Sequence, residues 1–127
     1  MKKTILILML VISSILANEK NDLETIKNHL GACFNRDMMG QLTLLNVIMY
    51  PKDTQHLIDV NNYLMTNCPN EADIIGSILL KYPDDNMKGY FFQEIYFQIA
   101  TNMSKEFSKN AKEFKNTANK MKKKAKK

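Results

Sequence analysis

Residues 50–83 read YPKDTQHLIDVNNYLMTNCPNEADIIGSILLKYP. This stretch holds all three prolines of the chain, Pro51, Pro69 and Pro83, and between them lie two apolar runs at helical spacing. The first run carries Leu57, Ile58, Val60, Tyr63, Leu64 and Met65, with Asp53 or Thr54 as its N-cap, and it ends at Cys68-Pro69. The second is capped by Asn70, carries Ile74, Ile75, Ile78, Leu79 and Tyr82, and ends at Pro83. Short polar side chains accept from free amides at a helix start, and proline cannot continue a helix, so these signals mark two helices between breaks. Ile74–Leu80 has the composition of a short strand, but its cap and length favour a helix.

The same punctuation extends outward. Upstream, Met38 to Tyr50 forms an apolar run opened by Asp37. The residue before a proline avoids helical geometry, which places a boundary at Tyr50. Before that, Leu23, Ile26, Leu30 and Phe34 recur at helical intervals after Asn21 or Asp22 as cap, and Gly31 is expected to loosen or end this helix. Downstream, Asp84, Asp85 and Asn86 offer caps for a last and longest helix. Its first half carries Phe92, Ile95, Tyr96, Ile99 and Met103, widened by Tyr90, Phe91 and Phe97. Beyond, the stripe narrows to Phe107, Ala111, Phe114, Ala118, Met121 and Ala125, at intervals of 4, 3, 4, 3 and 4. No segment alternates like a hairpin. The expectation is an all-α bundle of about five helices with a long basic C-terminal helix.

The N-terminus adds an address. Lys2 and Lys3 precede an apolar run, Ile5 to Ala17, interrupted only by Ser13 and Ser14; Asn18, Glu19 and Lys20 follow. That is the layout of a secretory signal peptide over residues 1–17, cleaved after Ala17. The run is shorter than the roughly 20 residues a membrane span needs. A periplasmic or secreted location follows, with a helical domain over 18–104 and a lysine-rich amphipathic helix or tail over 105–127. Export also gives Cys33 and Cys68 a meaning. Two cysteines in a small exported chain read as one disulfide, here joining the end of the first helix, or the turn after it, to the end of the third.

Charge divides the chain. Residues 105–127 hold ten Lys and two Glu, a balance of +8, and the signal adds +2; the total of +5 leaves −5 for residues 18–104. Basic tails often bind nucleic acid, but export removes the protein from that company. An anionic membrane surface, a cell-wall polymer or an acidic protein suits the tail better. Phe107, Phe114, Met121, Lys122, Lys123 and Lys124 are the candidate partner-binding residues, in a tail expected to be dispensable for folding. The seam also suits a homodimer. Met38, Met39, Met49, Met65, Met87, Met103 and Met121, with five aromatics among Tyr90–Phe97, supply adaptable apolar surface for a protein partner or client.

Signatures of catalysis are sparse. Glycines 31, 40, 76 and 89 form no phosphate loop, and there is no nucleophile elbow or metalloprotease helix. His29 and His56 are the two imidazoles, and His56 has Asp59 three residues on as a local ion partner. No cofactor, metal or catalytic residue is expected, and the chain reads as acting by binding.

Two families share local features with this pattern. From Ala32 to Ile75, Cys33-Phe34 opens a helical region, Tyr50-Pro51-Lys52-Asp53 forms a loop, and Val60-Asn61-Asn62-Tyr63 leads to Cys68. With the lysine-rich end, this resembles the HdeA/HdeB-type periplasmic acid-stress chaperones. The resemblance implies an acid-activated chaperone that uses no energy source and has no catalytic residues. Gln55-His56-Leu57-Ile58-Asp59-Val60, then Tyr63-Leu64, Ile74-Ile75 and Leu79-Leu80-Lys81-Tyr82-Pro83, is similar to the two-helix pattern of type VI secretion periplasmic immunity proteins. That alternative implies tight binding of one cognate toxin or hydrolase.

Overall fold

The computed structural model describes residues 19–103 and 107–126, so the signal peptide assigned to 1–17 and the boundary at 104 lie outside the described residues. Within them the regular structure is all helical, and Cys33 is bonded to Cys68. The helices number six rather than about five: α1 over residues 19–34, α2 Met38–Met49, α3 Thr54–Asn67, α4 Pro69–Leu79, α5 Asp85–Met103 and α6 Ser108–Lys126.

The extra helix comes from the C-terminal stretch, where α6 folds back antiparallel along α5. Met121 lies against Gly89, Lys115 against Glu94 and Phe114 against Tyr96, so contacts move up one helix and down the other. A single straight helix would leave the apolar stripes of both halves in water, whereas the hairpin buries Phe91, Ile95, Tyr96, Ala111, Phe114 and Ala118 together. Gly89 permits the approach, since a Cβ there would stand 2.7 Å from Met121 Sδ.

Caps set the other boundaries. Asp37 accepts from the Gly40 amide at 2.8 Å, Asp53 from Gln55 at 2.9 Å and Asp84 from Asn86 at 2.8 Å. α4 starts one residue before the expected cap: Pro69 is its first residue, where a missing amide costs nothing, and Asn70 is already helical. α1 is also longer than expected. Asn21 and Asp22 lie within it, and it runs through Gly31 to residue 34, because Ile26, Leu30, Cys33 and Phe34 are all anchored in the core.

α2 and α3 form a second antiparallel hairpin, closed by the turn at Tyr50–Asp53. At its open end the Tyr63 hydroxyl donates to Asp37 at 2.9 Å, and a Cβ on Gly40 would meet Phe34 O and Tyr63 Oη at 2.7 Å. The disulfide fastens the last turn of α1 to the junction of α3 and α4, with both sulfurs buried. Asp22, 7% exposed, holds the other end of α1: Tyr82 donates to it at 2.6 Å and Lys81 at 3.3 Å. Among the described residues no helix is long and apolar enough to cross a membrane.

Candidate functional site

The candidate partner-binding residues of the C-terminal stretch divide by face. α6 is strongly amphipathic, with its apolar seam toward α5, Lys115 and Lys122 flanking that seam, and Lys109, Lys112, Lys120, Lys123 and Lys124 outward. Phe114 is 1% exposed and stacks obliquely on Tyr96, with ring centroids 5.5 Å apart. Phe107 and Met121 are half-buried, Phe107 packing on the core and Met121 on Gly89. The apolar half of the expected contact surface is therefore turned inward.

Lys122 is occupied as well. Its ammonium stands 3.5 Å from Glu19 and 4.8 Å from the centre of the Tyr90 ring. Burial pulls its pKa down, but the Tyr90 and Glu19 oxygens outweigh that and raise it above the ordinary lysine value. Lys115 is bound to both oxygens of the buried Glu94, at 3.0 and 3.1 Å, and lies over the Phe97 ring. Lys123 and Lys124 are exposed, as are Lys109, Lys112 and Lys120, and none of the five has an ion pair among the described residues. Lys109, Lys112, Lys120 and Lys123 run along one side of the helix, with Asn116 and Asn119 filling the gap. The result is a polar face with two lysine clusters, Lys109 with Lys112 and Lys120 with Lys123 and Lys124, on a helix packed against α5. Clustered positive charge attracts anions more strongly at low salt.

A second exposed feature belongs to the α2–α3 hairpin. Met38, Met39 and Leu42 are 74%, 66% and 50% exposed, and i,i+3 and i,i+4 spacing puts them on one side of α2. Met65 and Ile58, seven residues apart on one side of α3, are exposed too. The Asp37–Tyr63 hydrogen bond sets the start of α2 beside the end of α3, so Met38, Met39 and Met65 belong to the same end of the hairpin. Unbranched, polarisable methionine side chains fit varied apolar partners. Sequence reading found the methionines but not their distribution: Met87 packs on the core while Met38, Met39 and Met65 do not.

His56 stacks on Tyr50 and lies between Asp53 and Asp59, with nitrogen–oxygen distances of 3.5 and 3.8 Å. Its Nδ1 is sealed from solvent without a hydrogen-bond partner. Among the described residues, no three His, Cys, Asp or Glu side chains are grouped to hold a metal ion. Cys33 and Cys68 are consumed by the disulfide.

In comparison with known proteins, the chain matches no protein-family model, no curated protein and no solved structure.

Proposed function

We propose that the protein is an exported, non-enzymatic binding protein that acts in a chaperone-like way under acid stress. The observation that carries this reading is the exposed apolar end of the α2–α3 hairpin, Met38, Met39, Leu42 and Met65, set on a frame stapled by Cys33–Cys68. A buried disulfide in a small chain supports an oxidising compartment. The cationic face of α6 would hold the molecule near an anionic surface.

Acid supplies the switch in this reading. Carboxylates pin distant elements together: Asp22 joins α1 to Tyr82 and Lys81, Glu94 joins α5 to Lys115 of α6, Glu19 joins α1 to Lys122, and Glu71 accepts from Arg36. Acid that neutralises carboxylates weakens ion pairs of this kind and leaves the lysine charge unbalanced. The domain then loosens while the disulfide keeps α1, α2 and α3 tethered, and more Met and aromatic surface becomes available to clients.

The deciding experiment is suppression of aggregation of an unfolded client by the mature, disulfide-intact protein, at neutral pH and over about pH 2–4. Protection in acid is expected, and it should fall when Met38, Met39, Leu42 and Met65 are changed to Gln. Absence of protection for any aggregating client would sink the chaperone reading. A stoichiometric complex with one envelope toxin or hydrolase at neutral pH would instead favour a dedicated inhibitor, for which the cationic face of α6 is the suited contact.

A further inference from the structure

A cavity of about 500 Å³ opens beside α1, where it crosses α2, α3 and α5. Leu30, Phe34, Leu44, Val60 and Ile99 give it apolar walls. Gly31 adds no side chain to the rim: a Cβ there would meet nothing nearer than Asn35 Nδ2, at 3.9 Å. Its size falls in the range of small-molecule sites, roughly 300–1,000 Å³.

Two polar groups on this cavity have unmet capacity. Tyr96 lines it and is 2% exposed, yet its hydroxyl has no hydrogen-bond partner among the described residues. Tyr63 and Tyr82, by contrast, donate to Asp37 and Asp22. Burial alone pushes the Tyr96 phenol well above its ordinary pKa, so it stays a donor. A phenol in such a floor needs an acceptor. Lys27, on the same lining, has no ion pair among the described residues.

Both groups donate, and one carries a positive charge. A carboxylate is acceptor-only and negative, which complements both. We infer that the cavity binds a free fatty acid, its chain lying against Leu30, Phe34, Leu44 and Ile99 and its carboxylate taking the Tyr96 hydrogen bond beside the Lys27 ammonium. This site is separate from the exposed methionines of α2 and α3 and takes a small ligand instead of a protein client.

The test is titration calorimetry of the mature, disulfide-intact protein with sodium decanoate, and with decanol as the uncharged ligand of equal length. Saturable binding of one decanoate is expected. Tyr96→Phe should weaken it by about tenfold, the scale of one hydrogen bond to a charged group. Its thermal midpoint should not fall, because the hydroxyl it removes has no hydrogen-bond partner among the described residues. Lys27→Gln should weaken decanoate and leave decanol unchanged, and Gly31→Phe should fill the groove and exclude both. Three results would overturn the inference: no saturable binding, affinity unchanged in Tyr96→Phe and Gly31→Phe, or affinity lost in Lys123→Gln/Lys124→Gln. The last would place the fatty acid on the cationic face of α6.

Discussion

Asp37 shows how much one carboxylate can organise. It caps α2 through the Gly40 amide and accepts from Tyr63 of α3, and these two hydrogen bonds, in that order, hold its pKa below the ordinary carboxylate value. A depressed pKa means that the folded state binds this proton less readily than the unfolded chain does. The stability contribution is therefore complete above the ordinary value and is lost as pH falls through the depressed one. Asp37→Asn keeps an acceptor at the cap but cannot ionise. Denaturant midpoints measured from about pH 5 to pH 2 should fall less steeply for Asp37→Asn than for the native chain, and equal slopes would clear Asp37 of the role. Asp22 provides the harsher case, because it is buried. Tyr82→Phe should cost about 1.5–3 kcal/mol, the worth of a hydrogen bond to a charged group, read from urea unfolding at neutral pH. The two positions also differ in legibility. Asp37 before an apolar run announces a cap. Asp22 looks like another cap, and nothing local reveals that Tyr82, sixty residues on, will bury it inside a helix.

At the scale of elements, the informative case is α6. The intervals from Phe107 to Ala125 specify an apolar stripe, but the same stripe serves a free tail, a homodimer or a hairpin. The choice is made by its partner surface. α5 offers Tyr96, Ala100 and a gap at Gly89, into which Phe114, Ala111 and Met121 fit. Asn110 adds a polar tie, donating to the carbonyls of Ile48 and Met49 at 3.0 and 3.3 Å, where the C-terminal end of α2 lacks helical donors. The expectation of a tail dispensable for folding is replaced accordingly. Phe114→Ala should cost about 3–5 kcal/mol, as for other buried phenylalanines. Lys123→Gln/Lys124→Gln should leave the unfolding midpoint nearly unchanged, since surface changes away from specific contacts have little effect. A Phe114→Ala protein as stable as the native one would show that the hairpin is not the state in solution. The helices around α3 were legible because prolines and acidic caps are local signals; the seam from Phe107 to Ala125 was legible too, and folding back on the body was one of its readings, but a return contact leaves no mark on the sequence near it that would decide for it.

For the molecule as a whole, the disulfide is the strongest single constraint. It closes a loop of 35 residues that contains α2 and α3 entire. Chain-entropy reasoning assigns about 4 kcal/mol to such a closure. Reduction should therefore lower the unfolding midpoint markedly, and thiol labelling of the native, unreduced protein should find no adduct at Cys33 or Cys68. Quantitative labelling of both would refute the bridge. The pairing was legible because two cysteines allow one partner choice, and the exported pattern gave them a reason to pair. The cavity beside α1 was not: Gly31, Leu44, Tyr96 and Lys27 lie on three different helices, and their sequence neighbours say nothing of the space between them.

The position of α6 in the chain has a bearing on timing. A polypeptide that emerges N-terminus first presents α1 to α5 before Phe114 exists to cover Tyr96. The stapled loop can close before α6 emerges, but the aromatic side of α5 stays wet until α6 arrives. Any chain broken off before Ala111 carries that uncovered side for good, and it is the kind of surface that proteases and aggregation select. α6 is thus the cover of the aromatic interior of α5, and a chain that has not yet reached it leaves that interior exposed.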